Sequence, residues 1–264
     1  MLTRRSFNTT DGRKGDVKRV RWLDILRGVC VALMVLDHFA LFFTMFYPLY
    51  GGRLFSLYVS MADYIASPAR GALRYIVISI FFIVSGICCS YSRNNLRRGV
   101  LLALFAGFIS LITYVLTVTV YYCFVICGVI HCYAIFTLIY ALVERLTRNC
   151  NNNMRLYICV FLLIVLTVAA IVIGTLKPTL DGSNALIFLG VPATGYVPPL
   201  EYASPALVGW AYFAGVILGF GLKKVDFHSG RAMPLLAFTG RHAGIIYLIH
   251  LPIIYAIIRL LTLI

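Results

Sequence analysis

The first long apolar segment of the chain opens with Arg21-Trp-Leu-Asp-Ile-Leu-Arg-Gly-Val-Cys-Val-Ala-Leu-Met-Val-Leu-Asp-His38. Ionisable side chains such as its Asp24, Arg27, Asp37 and His38 are costly inside a membrane, and there they usually line a cavity or a substrate path. At about 100° per residue, Arg27 and His38 share one helix face, with about 16 Å of helix rise between them. The segment therefore predicts a charged entrance at Arg27 and a buried base at His38.

Each of these residues also has a structural interpretation. Asp24 lies three residues before Arg27, which suits a local ion pair along one helix. A single histidine can likewise be a hydrogen-bonded core residue. Together on one face of an apolar helix, Asp24, Arg27 and His38 favour a functional interpretation over separate structural ones.

Composition places the chain outside the soluble classes. Its 264 residues are 61% hydrophobic and 12% charged, and the mean hydropathy is +0.93, whereas a soluble domain is about one quarter charged. The net charge of +14 comes from short basic clusters between apolar runs, a pattern that argues against nucleic-acid binding. Most of the eight cysteines lie within apolar runs and are interpreted as small hydrophobic residues.

Seven segments are long enough to span a bilayer, which takes about 20 apolar residues. They are residues 22–46, 72–92, 99–119, 121–143, 156–176, 205–222 and 242–263. The third and fourth are expected to form a tight hairpin through Thr119 and Tyr121. The sequence thus predicts an all-α, polytopic transmembrane helix bundle.

Lysine and arginine are distributed unevenly between the two sides of this bundle. With the amino terminus in the cytoplasm, that side has 16 of them, in residues 1–21, 93–98, 145–155 and 223–231. The other side has four, namely Arg53, Arg70, Arg74 and Lys177. The positive-inside rule therefore predicts the amino terminus inside and the carboxyl terminus outside.

The chain divides into a basic cytoplasmic tail, residues 1–21, and a single transmembrane domain, residues 22–264. The tail has little apolar content, so we expect it to be disordered or to lie on anionic lipid. It resembles the basic end of a signal peptide, but the apolar run that follows is too long and has no small-residue cleavage pattern. Two long outer connections, Tyr47–Gly71 and Lys177–Pro205, are either an acceptor site or plain connectors.

Three histidines are predicted at membrane depth: His38, His131 and His250. Imidazole is the side chain best suited to proton transfer near neutral pH. Cys123, Cys127 and His131 fall at i, i+4 and i+8, but that spacing covers about 12 Å along a helix and the ligands would not converge. We assign no metal site. Within the sixth span, Gly215 and Gly219 form a small-xxx-small pair that predicts close helix packing.

Four blocks resemble a known family. They are Arg21-Trp-Leu-Asp-Ile-Leu-Arg-Gly with Met34-Val-Leu-Asp-His-Phe, Phe82-Ile-Val-Ser-Gly, Gly128-Val-Ile-His, and Gly240-Arg-His-Ala-Gly-Ile-Ile-Tyr-Leu-Ile-His-Leu-Pro. In this order they resemble the heparan-alpha-glucosaminide N-acetyltransferase catalytic-domain family, particularly its small prokaryotic members. The Arg27-x10-His38 spacing also resembles the signature of the acyltransferase-three family of membrane O-acylases.

The resemblance implies an acyltransferase of the prokaryotic cytoplasmic membrane. Such an enzyme moves an acetyl or short acyl group from cytoplasmic acyl-CoA, a co-substrate rather than a bound cofactor, to an extracytoplasmic sugar amine or hydroxyl. The residues assigned to CoA are Asp24, Arg27, Ser85, Arg93, Arg97, Arg98 and Arg241. The catalytic assignments are His38, as the base or a transient acyl carrier, with Asp37, His131 and His250. Membrane lipid is the other partner, and the oligomeric state stays open, a homodimer included.

The chain departs from the family pattern at three places. Leu251 stands where the family often has Gln before the last proline. In the outer loop this chain has Gly195-Tyr-Val-Pro and then Glu201-Tyr202, where the family has Asp-Tyr-x-Pro followed by Pro-Trp. No histidine lies between Tyr47 and Gly71. Acceptor specificity is therefore not carried over, and the base role goes to His38 alone. The rival hypothesis is a transporter or channel in which the intramembrane Asp, Arg and His side chains line a polar path.

Overall fold

The computed structural model describes residues 21–51, 53–119, 124–125, 127–150, 152–176, 203, 205–222 and 233–263. In those ranges all regular structure is helical: α1 (Arg21–Tyr50), α2 (Phe55–Ala66), α3 (Pro68–Tyr91), α4 (Asn95–Thr119), α5 (Val129–Leu146), α6 (Asn152–Leu176), α7 (Pro205–Leu222), α8 (Pro234–Arg241) and α9 (Ala243–Thr262). The tail, His228 and nearly all of the second outer connection lie outside the described residues.

Seven of these helices are long and apolar enough to cross a membrane, namely α1, α3, α4, α5, α6, α7 and α9. This confirms the predicted all-helical bundle and the number of spans, and it indicates an integral membrane protein. The first outer connection is not a plain loop, because it contains helix α2. The orientation of the bundle in the membrane stays a prediction.

The centre of the bundle is the close packing of α3 against α7. A Cβ added to Gly215 would lie 2.1 Å from the backbone oxygen of Ile83, so the two backbones touch and only glycine fits there. The predicted small-xxx-small interface is therefore confirmed. The core around it is aromatic, with Phe82, Phe136 and Tyr212 all nearly inaccessible.

The short helix α8 lies directly against the beginning of α1. A Cβ on Gly240 would come within 1.8 Å of the Asp24 backbone oxygen, and one on Gly28 within 2.0 Å of the Leu236 backbone oxygen. Contact this close holds Arg241, at the end of α8, beside the first turns of α1. From there α9 runs parallel to α1.

The bundle has two distinct ends. One, hereafter the basic end, carries the start of α1, the end of α3 and the α4–α5–α6 junction, where Asn95 donates to Glu144 at 2.8 Å and Arg155 lies 3.9 Å from that carboxylate. The other, hereafter the opposite end, carries the end of α1, helix α2 and the start of α3, where Arg70 pairs with Asp37. Helix α1 crosses from the first to the second.

The predicted fourth span, 121–143, is wrong at its start, because α5 begins at Val129. The backbone at Val125 is satisfied by side chains of α4: its N–H donates to the Thr113 hydroxyl at 3.1 Å, and its carbonyl accepts from Ser110 at 2.8 Å. This segment therefore folds back along α4 instead of forming a tight hairpin. Cys127 lies outside the helix, so the shared helix face with His131 is also wrong; Cys123 lies outside the described residues.

Candidate functional site

Two histidines that are 212 positions apart in sequence meet in the middle of the bundle. His38 of α1 and His250 of α9 approach with 3.2 Å between Nδ1 of the first and Nε2 of the second. Both side chains are buried, with exposed fractions of 5% and 4%. The parallel course of α1 and α9 creates this pair, which was not predicted as a contact.

The hydrogen bonds of the pair define its tautomers. His250 Nδ1 lies 2.8 Å from the Tyr247 carbonyl, which can only accept, so that nitrogen carries a hydrogen. In the neutral pair, His250 Nε2 is then an acceptor and His38 Nδ1 is its donor. The unprotonated nitrogen of His38 is therefore Nε2, the one that can act as a base.

Asp37, the neighbour of His38, belongs to a polar cluster at the opposite end. Its carboxylate accepts two hydrogen bonds from the Arg70 guanidinium, at 2.7 and 2.9 Å, and one from the Tyr64 hydroxyl at 3.1 Å. Desolvation and the nearby Asp37 carboxylate raise the pKa of the Tyr64 phenol. This cluster ties α1 to α2 and α3 next to His38.

The described part of the chain contains cavities that run from the basic end towards the middle. The basic-end cavity, about 510 Å³, is lined by Asn94, Arg97, Arg98, Leu101, Leu102, Phe105, Gly244, Ile245 and Leu248. A central cavity of about 220 Å³ has Arg27, Arg98 and Arg241 in its wall, beside mostly apolar residues. Because Arg98 and three other residues line both, the two cavities adjoin.

A third cavity, the opposite-end cavity, continues the row. Its volume is about 180 Å³, and Asp37, His38, Tyr64 and Arg74 supply its polar wall. It shares four wall residues with the central cavity, namely Met34, Val77, Ile78 and Val129. The arginines of the basic end and His38 are thus placed along one row of adjoining cavities.

Arg27 is held at the wall of the central cavity by two contacts. Asp24, which is buried, lies 3.5 Å from its guanidinium, and the Cys88 sulfur accepts a hydrogen bond at 2.8 Å. The local ion pair and the cavity-lining position occur together, so the structural interpretation of Asp24 and Arg27 does not exclude the functional one. Asp24 orients the Arg27 guanidinium.

Arg98 is the arginine that lines both the basic-end cavity and the central cavity. It donates hydrogen bonds to the Tyr133 hydroxyl and, at 3.6 Å, to the Cys89 sulfur. Its guanidinium also lies 5.3 Å from the centre of the Tyr133 ring. Arg98 is thus held at the wall of both cavities, and a planar guanidinium is a group that suits phosphate.

Five of the predicted site residues line none of the three cavities. Asp24 and His250 contact a wall residue instead, Arg27 and His38 respectively. Arg93 is exposed and Ser85 is fully buried, and neither lines any of the three cavities. His131 does not line them either. It caps the start of α5, because its Nδ1 accepts from the Gly128 N–H at 3.2 Å and its Nε2 lies 2.8 Å from the Ser110 hydroxyl.

Sequence reasoning missed Tyr64 and Arg70, which bind Asp37, and also Arg74 and Tyr133. Arg74 was counted only towards topology, yet it lines the cavity that contains His38. The available signal was its position inside an apolar span, where ionisable residues are usually functional. Tyr133, which holds Arg98, carries no such signal, because a tyrosine in an apolar helix looks like an ordinary core residue.

Comparison with known proteins gives one result. Residues 19–252 match the family model described as heparan-alpha-glucosaminide N-acetyltransferase, catalytic. That range includes both histidines of the pair and every arginine that lines the row of cavities. No curated protein sequence and no solved structure gives a significant match.

Proposed function

Because the chain belongs to the heparan-alpha-glucosaminide N-acetyltransferase catalytic family, whose members use acetyl-CoA as the acetyl donor, we propose that it is a transmembrane acyltransferase. It moves an acetyl or short acyl group from acyl-CoA at the basic end to an amine or hydroxyl acceptor at the opposite end. The observation that carries this is the row of adjoining cavities, with arginines at one end and His38 at the other.

The donor site lies at the basic end, which faces the cytoplasm in this proposal. Arg97 and Arg98 bind phosphate groups of CoA from the basic-end cavity, and Arg27 and Arg241 do so from the central cavity. The pantetheine arm passes through the mainly apolar central cavity. The helix rise from Arg27 to His38 is about 16 Å, so the thioester comes to lie near the base.

The reaction needs one base and no further reactant. His38 Nε2 takes the proton from the acceptor hydroxyl or amine while that oxygen or nitrogen attacks the acyl carbon. The bond between the acyl carbon and sulfur breaks, and the CoA thiolate takes the proton from the His38 imidazolium. His250 holds the required tautomer of His38 through the contact between the two rings.

The remaining assignments follow from this arrangement and from the charge distribution. Residues 22–264 form one acyltransferase-like domain in a prokaryotic cytoplasmic membrane, and the basic tail 1–21 lies on the cytoplasmic side. Cys150, an exposed free thiol at the basic end, tests the orientation. A membrane-impermeant maleimide should label it only after permeabilisation, with Cys150→Ser as the control; labelling of intact cells at Cys150 would reverse the orientation.

The experiment that tests the function is thermal unfolding of the purified protein with acetyl-CoA. A ligand that binds only the folded state raises its apparent stability, by about 2.7 kcal/mol at a concentration 100 times Kd. We expect saturable stabilisation by acetyl-CoA, together with release of CoA thiol when glucosamine or another amine or hydroxyl acceptor is added. A transporter that uses the same polar path has no need of a CoA site, so the absence of stabilisation would favour that alternative.

A further inference from the structure

The opposite-end cavity is bordered by side chains that face lipid. Leu36 of α1 has an exposed fraction of 65%, and Leu73 of α3 one of 45%, and both belong to the cavity wall. Exposed leucines on helices that cross a membrane lie against the acyl chains of lipids. The cavity that contains His38 therefore reaches the lipid-facing surface, between α1 and α3.

The same cavity is covered on its other side. Helix α2 joins the end of α1 to the start of α3, and its Tyr64 lines the cavity and donates to Asp37. Apolar residues of α2, including Tyr58 and Met61, pack against the end of α1. Among the described residues, α2 therefore covers this side of the cavity, whereas Leu36 and Leu73 border the side that faces the membrane.

An arginine in the wall of the cavity suits an anionic head group. The Arg74 guanidinium lies in that wall, and the Asp37 carboxylate beside it accepts two hydrogen bonds from Arg70. Arginine in a partly desolvated wall binds phosphate and carboxylate groups well. The site thus joins a polar part that contains Arg74 to an apolar lateral opening.

We propose, on the basis of the function proposed above, that the acceptor is an anionic lipid of the leaflet at the opposite end. The lipid enters sideways between α1 and α3, past Leu36 and Leu73. Its phosphate or carboxylate binds Arg74, and its hydroxyl or amine comes to His38. The acyl group then moves from the CoA sulfur to that oxygen or nitrogen, and the displaced proton goes to His38 and on to the CoA thiolate.

Three probes distinguish the contribution of the acyl chain to binding from that of the head-group charge. They are 1-oleoyl-lysophosphatidic acid, the zwitterionic 1-oleoyl-lysophosphatidylcholine with the same chain, and sn-glycerol 3-phosphate with the same head group and no chain. Thermal stabilisation of the full chain in detergent is titrated with each. The anionic lipid should act at a concentration at least tenfold lower than either of the others.

Paired variants then locate the site. Arg74→Gln should raise the concentration of anionic lipid needed by about tenfold, whereas Arg53→Gln, which removes an exposed charge at the same end and lines none of the described cavities, should not. Leu73→Trp, which narrows the lateral opening, should act like Arg74→Gln. Leu111→Trp, at an exposed position of α4 away from the cavity, should have no effect.

Each contrary result has a definite meaning. If sn-glycerol 3-phosphate protects as well as the lipid, the acceptor is a soluble anion and the lateral route is wrong. Equal protection by the zwitterionic lipid, or full protection of both Arg74→Gln and Leu73→Trp, also overturns the proposal. Stabilisation by acetyl-CoA is measured on the same samples, so its presence shows that the acyltransferase function survives even when the lipid acceptor fails.

Discussion

The regions around His38 and around His131 use the same residue type in opposite ways. His131 caps the start of α5, and both ring nitrogens are engaged, one by the Gly128 N–H and the other by Ser110. The His38 ring contacts His250 and belongs to a cavity wall. His38 is buried and His131 is half-buried, and of the two only His38 lines one of the three cavities.

The largest expected effect is on turnover at His38. His38→Gln keeps a hydrogen-bonding side chain of similar size but removes the base, so acyl transfer per folded molecule should fall by about a hundredfold to ten-thousandfold. Release of CoA thiol, normalised to the folded fraction from size-exclusion chromatography, is the measurement. Near-normal turnover in this variant would make His38 a structural residue like His131.

A smaller effect is expected on the binding of acyl-CoA at the basic end. Arg98→Ala and Arg27→Ala each remove a charge-assisted contact worth about 1.5–3 kcal/mol, so Kd for acetyl-CoA should rise about tenfold to a hundredfold. Arg93→Ala is the matched control, because Arg93 is a neighbouring arginine that lines none of the three cavities. A larger loss for Arg93→Ala than for Arg98→Ala would move the donor site to the exposed surface.

The smallest effect on turnover is expected at His131. His131→Gln disturbs the cap of α5 and leaves buried polar groups without their partner, at a cost of about 1–3 kcal/mol in the free energy of unfolding. Turnover of the molecules that remain folded should change little. Thermal unfolding beside the thiol-release assay checks this, and a selective loss of turnover with unchanged stability would assign catalysis to His131.

Part of this contrast between the histidines is accessible from sequence. Helical periodicity alone puts Arg27 and His38 on one face, and hydropathy finds all seven spans, because both depend on residues that are close in sequence. The pairing of His38 with His250 depends instead on how α1 and α9 pack. No local pattern distinguishes it from a pairing with His131.

The start of α5 and the position of Arg98 could not be predicted for a similar reason. Apolar residues continue from Tyr121 to Val143, so hydropathy extends the span across residues 124, 125, 127 and 128, which the structure shows outside the helix. Val125 stays outside α5 because its backbone carbonyl and N–H form hydrogen bonds with the Ser110 and Thr113 side chains of α4. Tyr133 and Cys89, which hold Arg98, are ordinary core residues in any one-dimensional pattern.

The central claim is that acyl-CoA bound at the basic end reaches His38, in the wall of the opposite-end cavity, along one path. Met34 and Ile78 line both the central and the opposite-end cavities, so Met34→Trp and Ile78→Trp are two independent ways to fill the junction. Leu104→Trp, at a position of α4 that is 67% exposed, is the control for an added indole.

The decisive measurement is acetyl-CoA stabilisation and thiol release on the same preparations of these variants. Because the arginines proposed to bind phosphate are untouched, acetyl-CoA should still stabilise both junction variants, whereas thiol release per folded molecule should fall at least about tenfold, the equivalent of 1.4 kcal/mol in the barrier. The Leu104→Trp control should keep both properties. Normal thiol release in both Met34→Trp and Ile78→Trp would contradict the account, since the acyl group would then reach its acceptor without passing this junction.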